Sequence, residues 1–397
     1  MADGRKRSAA KQARRDARRR KARREGVGVP QTPEDVPLID EIRQALAGGQ
    51  PLDLLALVSM VVVATTPKPE VLQGPGDEDQ LSLTELVPAF IDLRVPETTA
   101  LLAALGELVV DDDVLRDQCR RAVAARDDIL PRWLVGLGQT SVHRAVRMID
   151  VFGDGEELLL AVRLPDGQEM TGAVFIDHLT LSTVKDAFFV PGTIDTVLTI
   201  ATANQTDPDT SFVETDLAEA GARLHKALTG PLAMYPVEES DTWPASRALL
   251  DWIGRLLPAD GVIPEVPQLD SVATLDLLEG FFASQVGMPF DDVDHRQLLD
   301  VCIEEGTGDP VRWSAPRLNQ LLDGPVGYDH AIALEAQLDL PELLGAFVPY
   351  AHAYSGIRLE LTAEALAAIA EVADYYRAEV LEEAEEWAEE EDADEPV

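Results

Sequence analysis

The stretch SVHRAVRMIDVFGDGEELLLAVRLPDGQEMTGAVFIDHLT, residues 141–180, decides the fold, because only here does the pattern of apolar residues favour a β-sheet. Two turn signals, Gly153-Asp154-Gly155 and Pro165-Asp166-Gly167, divide it into three segments. Asp-Gly pairs readily adopt the positive φ that tight reversals need. The stretch therefore predicts an antiparallel β-meander of three strands.

Apolar residues lie on both faces of the predicted strands. In the second segment Leu158 and Leu160 share one face, while Leu159 and Ala161 occupy the other, because successive side chains of a strand point to opposite sides. A sheet that is apolar on both sides needs cover on both, so we expect helices to pack against each face.

The segment after Ser182 has the spacing of helices. Val184 and Phe188 are four residues apart, and the apolar residues of Ile194–Ala201 recur every three or four positions. Pro191-Gly192 separates these two groups. We predict two short helices here, although the β-branched residues leave a strand open.

The regions on either side of the meander have apolar residues at helical spacing. The predicted fold class is therefore α+β, predominantly helical, with a small antiparallel β-meander at about residues 141–180 between two helical regions. We divide the chain into five parts. They are a basic disordered arm with a linker (residues 1–37), a helical region (38–137), the meander with short helices (138–205), a second helical region (206–377) and an acidic C-terminal tail (378–397), whose last residues we expect to fray.

Acidic and hydroxyl residues mark the starts of predicted helices. Ser82 and Glu85 match a capping box. Asp111–Asp113 precede a charged helix, whose N-terminal dipole favours negative charge. Asp294 with Gln297 resembles a second capping box. We expect these groups to cap helices, and not to bind metal.

A polar loop at Thr206–Asp216 is faintly similar to a calcium-binding loop. Phe212 stands where an EF-hand requires glycine, and Ala218 where it requires a bidentate glutamate. We therefore interpret the segment as a linker into the next helix.

Cysteine content and hydropathy indicate the cellular compartment of the protein. Cys119 and Cys302 have no partner cysteine or histidine at ligand spacing, which favours a reducing environment and predicts no metal and no cofactor. The longest apolar run, Leu54–Ala64, is shorter than the ~20 residues that span a bilayer. No apolar segment follows the basic N-terminus, as a signal peptide requires. The sequence predicts a cytoplasmic protein without membrane association.

Charge is divided unevenly along the chain. The net charge is −39, yet residues 1–25 hold 12 of the 33 basic residues and only three acids. Such a basic arm can bind polyanions by releasing counterions, and without aromatic residues it would bind nucleic acid independently of sequence. A solvated tail, or an arm that lies on the chain's own acidic surface, is the alternative. The candidate polyanion-binding residues are Arg14, Arg15, Arg18, Arg19, Arg20, Lys21, Arg23 and Arg24.

Acid-base chemistry has one weak set of candidates near the sheet. His178, Lys185 and Asp186 carry suitable groups. If the third strand continues, however, Asp177 and His178 point to opposite faces, so Asp177 cannot orient the imidazole. We therefore favour a half-buried structural role for His178.

A second candidate pair, His143 and Asp150, comes from the first strand. An enzyme built on either set would perform hydrolysis or acid-base catalysis near the central sheet.

The C-terminal region contains Arg312-Trp313-Ser314, then Pro341–His352 and Leu361-Thr362-Ala363-Glu364. Over about Arg312 to Glu364, these segments resemble a helical module in uncharacterised proteins of high-GC Gram-positive bacteria. The resemblance implies a bacterial cytoplasmic origin and a helical C-terminal domain, and it carries no function.

Three functions remain open from the sequence. The first is a non-enzymatic interaction protein whose basic arm contacts nucleic acid or the ribosome. The second is a hydrolase-like or acid-base enzyme with a site near the central sheet. The third is a self-associating protein that pairs its arm with the acidic body of another copy.

Overall fold

A computed structural model confirms the predominantly helical α+β class, with helices around one antiparallel five-stranded sheet. It describes residues 37–66, 81–179, 181–204, 207–230, 240, 242–264, 269–306, 308–326 and 332–394. The basic arm and its eight candidate residues lie outside these ranges.

Six helices precede the sheet within the described residues. They are α1 (Pro37–Gly48), α2 (Pro51–Thr65), α3 (Leu83–Asp92), α4 (Pro96–Leu108), α5 (Asp113–Ala124) and α6 (Arg132–Val135). The predicted capping box is confirmed, because Glu85 accepts a hydrogen bond from the backbone N–H of Ser82 at 2.9 Å. Asp112 caps α5 as predicted and accepts from the Leu115 N–H at 2.9 Å.

The meander forms as predicted, and one further strand joins its sheet at each edge. The strands are β1 (Ser141–Ile149), β2 (Gly155–Arg163), β3 (Glu169–Asp177), β4 (Thr183–Pro191), which continues the meander, and β5 (Ser211–Thr215), in the spatial order β4-β3-β2-β1-β5. Gly153 and Gly167 have φ of 68° and 89° in the two predicted turns, a region that glycine enters without strain.

The helix predicted around Val184 and Phe188 is wrong, because these residues form β4. In the β3–β4 ladder Ile176 pairs with Val184 and Val174 pairs with Ala187. The two partners are two residues apart on β3 and three apart on β4, so β4 contains one extra residue, a β-bulge. This bulge buries Val184 and Ala187 on the same face at a spacing of three. Phe188, whose spacing of four from Val184 favoured a helix, pairs with Ala173 on the other face and is exposed. The second predicted helix is confirmed as α7 (Ile194–Asn204).

The linker predicted at Thr206–Asp216 is also wrong in part, because it contains β5. This short edge strand pairs with β1 from Ala145–Thr215 to Ile149–Ser211. Four of its five side chains are not buried, so it lacks the apolar alternation by which strands are recognised. Backbone hydrogen bonds to β1, and not side-chain burial, hold it in the sheet.

One face of the sheet forms the main core. Leu158, Leu160 and Val174 are fully buried there, against the N-terminal helices together with α8 (Leu217–Thr229) and α9 (Trp243–Gly254). α7 covers the other face, where Ile194 packs on a small apolar cluster. The expected cover on both faces is therefore present.

The remaining helices enclose a second core. They are α10 (Ser271–Phe282), α11 (Val293–Glu305), α12 (Ala315–Leu321), α13 (Leu334–Leu338), α14 (Leu340–Ser355) and α15 (Leu359–Asp394). Phe281 and Phe347 lie edge to face with ring centroids 5.0 Å apart, and Trp313 packs against the same cluster. The region 206–377 thus contributes to two cores.

Two boundaries in this second unit differ from the prediction. α11 is capped by Asp292, which accepts from the His295 N–H at 3.1 Å, and not by Asp294. α15 continues into the predicted acidic tail, residues 378–397, as far as Asp394, because alanine, leucine and glutamate are strong helix formers. The last three residues, 395–397, where fraying was predicted, lie outside the described residues. No helix among the described residues is long and apolar enough to cross a bilayer.

Candidate functional site

His178 follows the end of β3, on the side of the sheet that carries a buried carboxylate. Its Nε2 is 3.8 Å from Oε1 of Glu156, which precedes Leu158 and Leu160 on the core face of β2. Asp177 instead pairs with Lys185 at 2.8 Å and accepts a hydrogen bond from the Leu179 N–H at 2.9 Å. The acid nearest to a ring nitrogen of His178 in the described ion pairs is thus Glu156.

Glu156 is the centre of a buried ionic network. Its side chain is 3% exposed, and Arg147 from β1 donates to Oε2 at 2.9 Å. Arg223 from α8 donates to both carboxylate oxygens at 3.1 Å, and to Glu219 at 2.8 Å. Burying a carboxylate is costly unless it is paired and hydrogen-bonded. The two guanidinium groups meet this condition.

The imidazole of His178 is half-buried and has a hydroxyl on its other side. Nδ1 is 3.0 Å from Oγ of Ser182. Burial lowers the pKa of His178 from its usual value, Glu156 opposes this, and the positive charges of Arg223 and Lys226 lower it further. The ring is therefore neutral at pH 7 and able to accept a proton.

The turn that carries His178 and Ser182 has an unusual backbone. Leu181 and Ser182 have φ of 55° and 56°, a left-handed conformation that non-glycine residues adopt at a cost and that often occurs at functional sites. The His178 N–H donates to the Asp154 carbonyl at 2.9 Å, and Gln320 of α12 donates to the Leu179 carbonyl at 3.2 Å. Contacts from the β1–β2 turn and from the second core therefore hold the turn.

This turn lies where the two cores meet. Arg317 of α12 binds Asp154 at 2.7 Å, and both side chains are largely buried. Burial raises the pKa of Asp154, while Arg317 opposes the shift. Phe152 of the β1–β2 turn packs on His352 with ring centroids 5.6 Å apart. Ligand sites are common at such junctions between structural units.

The other sequence candidates near β4 have separate partners. Lys185 forms its ion pair with Asp177. Asp186 accepts hydrogen bonds from Thr242, at 2.6 Å, and from Ser240, next to the start of α9. The hydrogen bonds of these residues therefore join β4 to β3 and to α9.

His143 and Asp150 lie at opposite ends of β1. Nε2 of His143 is 3.4 Å from Glu169, while Asp150 accepts hydrogen bonds from the N–H groups of Phe152 and Gly153 at 2.7 Å each. The structure separates the two side chains by the length of a strand, so they do not form one site.

Sequence reasoning missed Glu156 and Ser182. The turn at Pro165-Asp166-Gly167 determines the β2–β3 register, in which Glu156 pairs with Ile176. His178 is two residues beyond Ile176, so that register places it diagonally across from Glu156 on the same face, within reach of long side chains. No sequence pattern marked Ser182 as a partner of His178, because its position beside the ring depends on the turn that leads into β4.

Metal and thiol chemistry have little support in the described part of the chain. No group of three or more histidine, cysteine, aspartate or glutamate side chains there could hold a metal ion. Cys119 and Cys302 are buried and free, and burial raises the pKa of Cys119 to about 11 and that of Cys302 in the same direction. Thiols of this kind are poor nucleophiles at neutral pH.

A cavity of about 270 Å³ lies away from these groups. It is lined by residues of α1 and of the segment around α6, among them Leu46, Pro131 and Trp133. Its charged lining residues are Arg132 and Asp166. None of the lining residues belongs to the His178 cluster, so we base no chemistry on the cavity.

Comparisons with known proteins found no matching family model, no matching curated protein and no matching solved structure. The resemblance of the C-terminal helices to a bacterial module therefore stays a prediction. Function has to be argued from charge and from the geometry of the sites.

Proposed function

We propose that this chain is a cytoplasmic interaction protein of bacterial origin that binds nucleic acid, including that of the ribosome, through its basic arm. The observation that carries the proposal is the charge layout, a cluster of 12 basic residues in the first 25 of a chain with net charge −39. Lysine and arginine that neutralise phosphates release counterions, which drives binding without base recognition.

The acidic body limits where nucleic acid can bind. Outside the arm, 69 acidic residues outnumber 21 basic ones, so the body repels phosphates at long range. Arg144 and Arg358 illustrate this in the described structure, because each is paired with two or more carboxylates. The arm is then the part of the chain best suited to a polyanion, and the two cores act as its scaffold.

The proposal is tested by fluorescence anisotropy with a labelled 20-nucleotide RNA, from low salt upward. Full-length protein should bind, and the logarithm of its affinity should fall with the logarithm of salt with a slope of about −0.7 for each phosphate contact. Deleting residues 1–25 should abolish binding. Replacing the eight candidate residues by glutamine should weaken binding and make the dependence of affinity on salt less steep.

A matched control changes exposed basic residues of the body instead. Arg94 and Arg132, both exposed, are replaced by glutamine, and this variant should bind like the parent protein. If full-length protein ignores RNA and DNA even at low salt, or if the deletion variant still binds, the proposal fails. A salt-sensitive dimer in sedimentation, without RNA binding, would favour self-association.

A further inference from the structure

Ser182, His178 and Glu156 form a line of three groups. Oγ of Ser182 is 3.0 Å from Nδ1 of His178, and Nε2 is 3.8 Å from Oε1 of Glu156. Hydroxyl, imidazole and carboxylate in this order are the parts of a serine nucleophile with its base and orienting acid. Contacts of this kind are often long without a substrate and shorten when it binds.

The ionic network favours the tautomer of His178 that carries its proton on Nε2. Arg147 and Arg223 fix the carboxylate of Glu156 in place, and its Oε1 is 3.8 Å from Nε2, so a proton on Nε2 faces an acidic oxygen. The lone pair of the neutral ring then lies on Nδ1, towards the Ser182 hydroxyl. This is the tautomer that a general base needs in order to remove the hydroxyl proton.

The backbone at Ser182 is suited to presenting a nucleophile. Leu181 and Ser182 both have positive φ, a conformation that is unfavourable for non-glycine residues, although glycine would build the same turn without strain. The Leu181 side chain is 58% exposed and offers an apolar contact beside the hydroxyl. The turn also lies against α12 of the second core, through Gln320.

We infer that this cluster is a site of acyl transfer that hydrolyses carboxylic esters, with Ser182 as nucleophile, His178 as general base and Glu156 as the residue that positions His178. The inference goes beyond the proposed binding function, because the residues involved lie outside the arm. Neither function requires the other.

The reaction balances with water as the only co-reactant. Oγ of Ser182 bonds to the ester carbonyl carbon as its proton passes to Nδ1 of His178. The imidazolium returns this proton to the leaving alcohol as the ester C–O bond breaks, which leaves an acyl group on Ser182. Water attacks that acyl group with His178 again as base, releases the acid and restores the serine hydroxyl. Glu156 stays ionised and stabilises the imidazolium.

The test uses full-length protein with a fluorophosphonate probe and, separately, p-nitrophenyl acetate. Both should modify Ser182, as shown by mass spectrometry of the labelled peptide. Ser182→Gly, which suits the positive φ, should remove the label. His178→Gln should slow labelling by on the order of 10²- to 10⁴-fold.

A control variant separates chemistry from folding. Ser211→Ala removes an exposed serine hydroxyl in β5, outside the cluster, and should label at the parent rate. A label on other residues alone, no label at all, or equal labelling of Ser182 in His178→Gln would overturn the inference. Circular dichroism confirms that each variant is folded.

The positioning role of Glu156 has its own readout. The acylation rate should rise with pH as His178 loses its proton, at a midpoint set by Glu156, Asp177, Arg223 and Lys226, which all act on the ring. Because Glu156 raises the pKa of His178, Glu156→Gln should move this midpoint to lower pH and reduce the plateau rate. An unchanged profile in folded Glu156→Gln would remove Glu156 from the mechanism.

Discussion

At the residue scale the most informative group is Glu156, a charge in the sheet's buried face. It lies among leucines on β2, where an isolated carboxylate would be strongly unfavourable. Arg147 and Arg223 compensate it from two different elements, β1 and α8. The pairing therefore ties the position of α8 to the register of the first two strands.

Removing one guanidinium should destabilise the fold. Arg223→Met leaves the buried Glu156 with one cationic partner fewer, and we expect the free energy of unfolding to fall by about 3–5 kcal/mol. Urea denaturation measures this. Arg163→Met is the matched control, since Arg163 is 52% exposed in its pair with Glu169 and should change stability by about 1 kcal/mol or less. Equal effects in the two variants would contradict the role assigned to the network.

At the element scale, strand β4 differs most from its sequence pattern, whereas helix α15 follows its pattern and extends past the residues that pack in the second core. The bulge opposite Val174 and Ile176 gives β4 a spacing of three between buried residues. α15 runs for 36 residues, or about 54 Å, and among its side chains described up to Glu386 the last buried ones are Tyr376 and Val380. The pattern of local residues indicates helix for both, and only pairing with β3 makes β4 a strand.

The acidic end of α15 should contribute little to stability. A chain that stops after Glu386 keeps Tyr376 and Val380 in the second core, so its free energy of unfolding should change by less than about 0.5 kcal/mol. A chain that stops after Ala373 loses both side chains and should be less stable by about 4 kcal/mol or more. Urea titrations followed by circular dichroism compare the two. A large loss in the longer chain would show that the acidic segment packs against the body.

At the scale of the whole molecule, charged and aromatic contacts join the two cores. Asp154 binds Arg317, and Asp209 accepts hydrogen bonds at 2.9 Å from Arg358. Between these pairs Phe152 packs on the fully buried His352, whose Nδ1 is 2.9 Å from the Thr362 hydroxyl. The junction therefore contains a titratable ring that has no access to water.

His352 should make stability depend on pH. Burial lowers its pKa to about 4, and the carbonyl of Trp313 opposes this shift. Between about pH 4 and pH 6.5 the unfolded chain binds the proton that the native chain excludes, so stability should be lost as pH falls through this window, by about 3 kcal/mol at most. Asp154, with a raised pKa, acts in the opposite direction.

The His352 contribution is isolated by comparison with His352→Gln. Urea denaturation of both proteins is measured from pH 4 to pH 7. The parent protein should lose more stability on acidification than the variant, because glutamine binds no proton. Parallel pH profiles would show that His352 is protonated equally in the folded and unfolded states.

Local patterns were sufficient for much of the fold and for part of the candidate site. The Asp-Gly turns predicted the meander, and capping residues predicted the starts of α3 and α5, because these features depend on neighbouring residues alone. The prediction that Asp177 and His178 face apart followed from strand geometry. Asp292 as the cap of α11 was missed because Asp294, two residues later, fits the same pattern.

The sequence by itself thus determined the α+β class, the three-strand meander and the uneven distribution of charge, all of which arise from short-range periodicity and composition. Only the tertiary structure decided that residues 183–191 and 211–215 join the sheet, since a bulge and an edge position leave no clear periodicity. It also decided the partners of His178. Glu156 and Ser182 reach that ring through strand register and a strained turn, and such contacts exist only once distant segments pair.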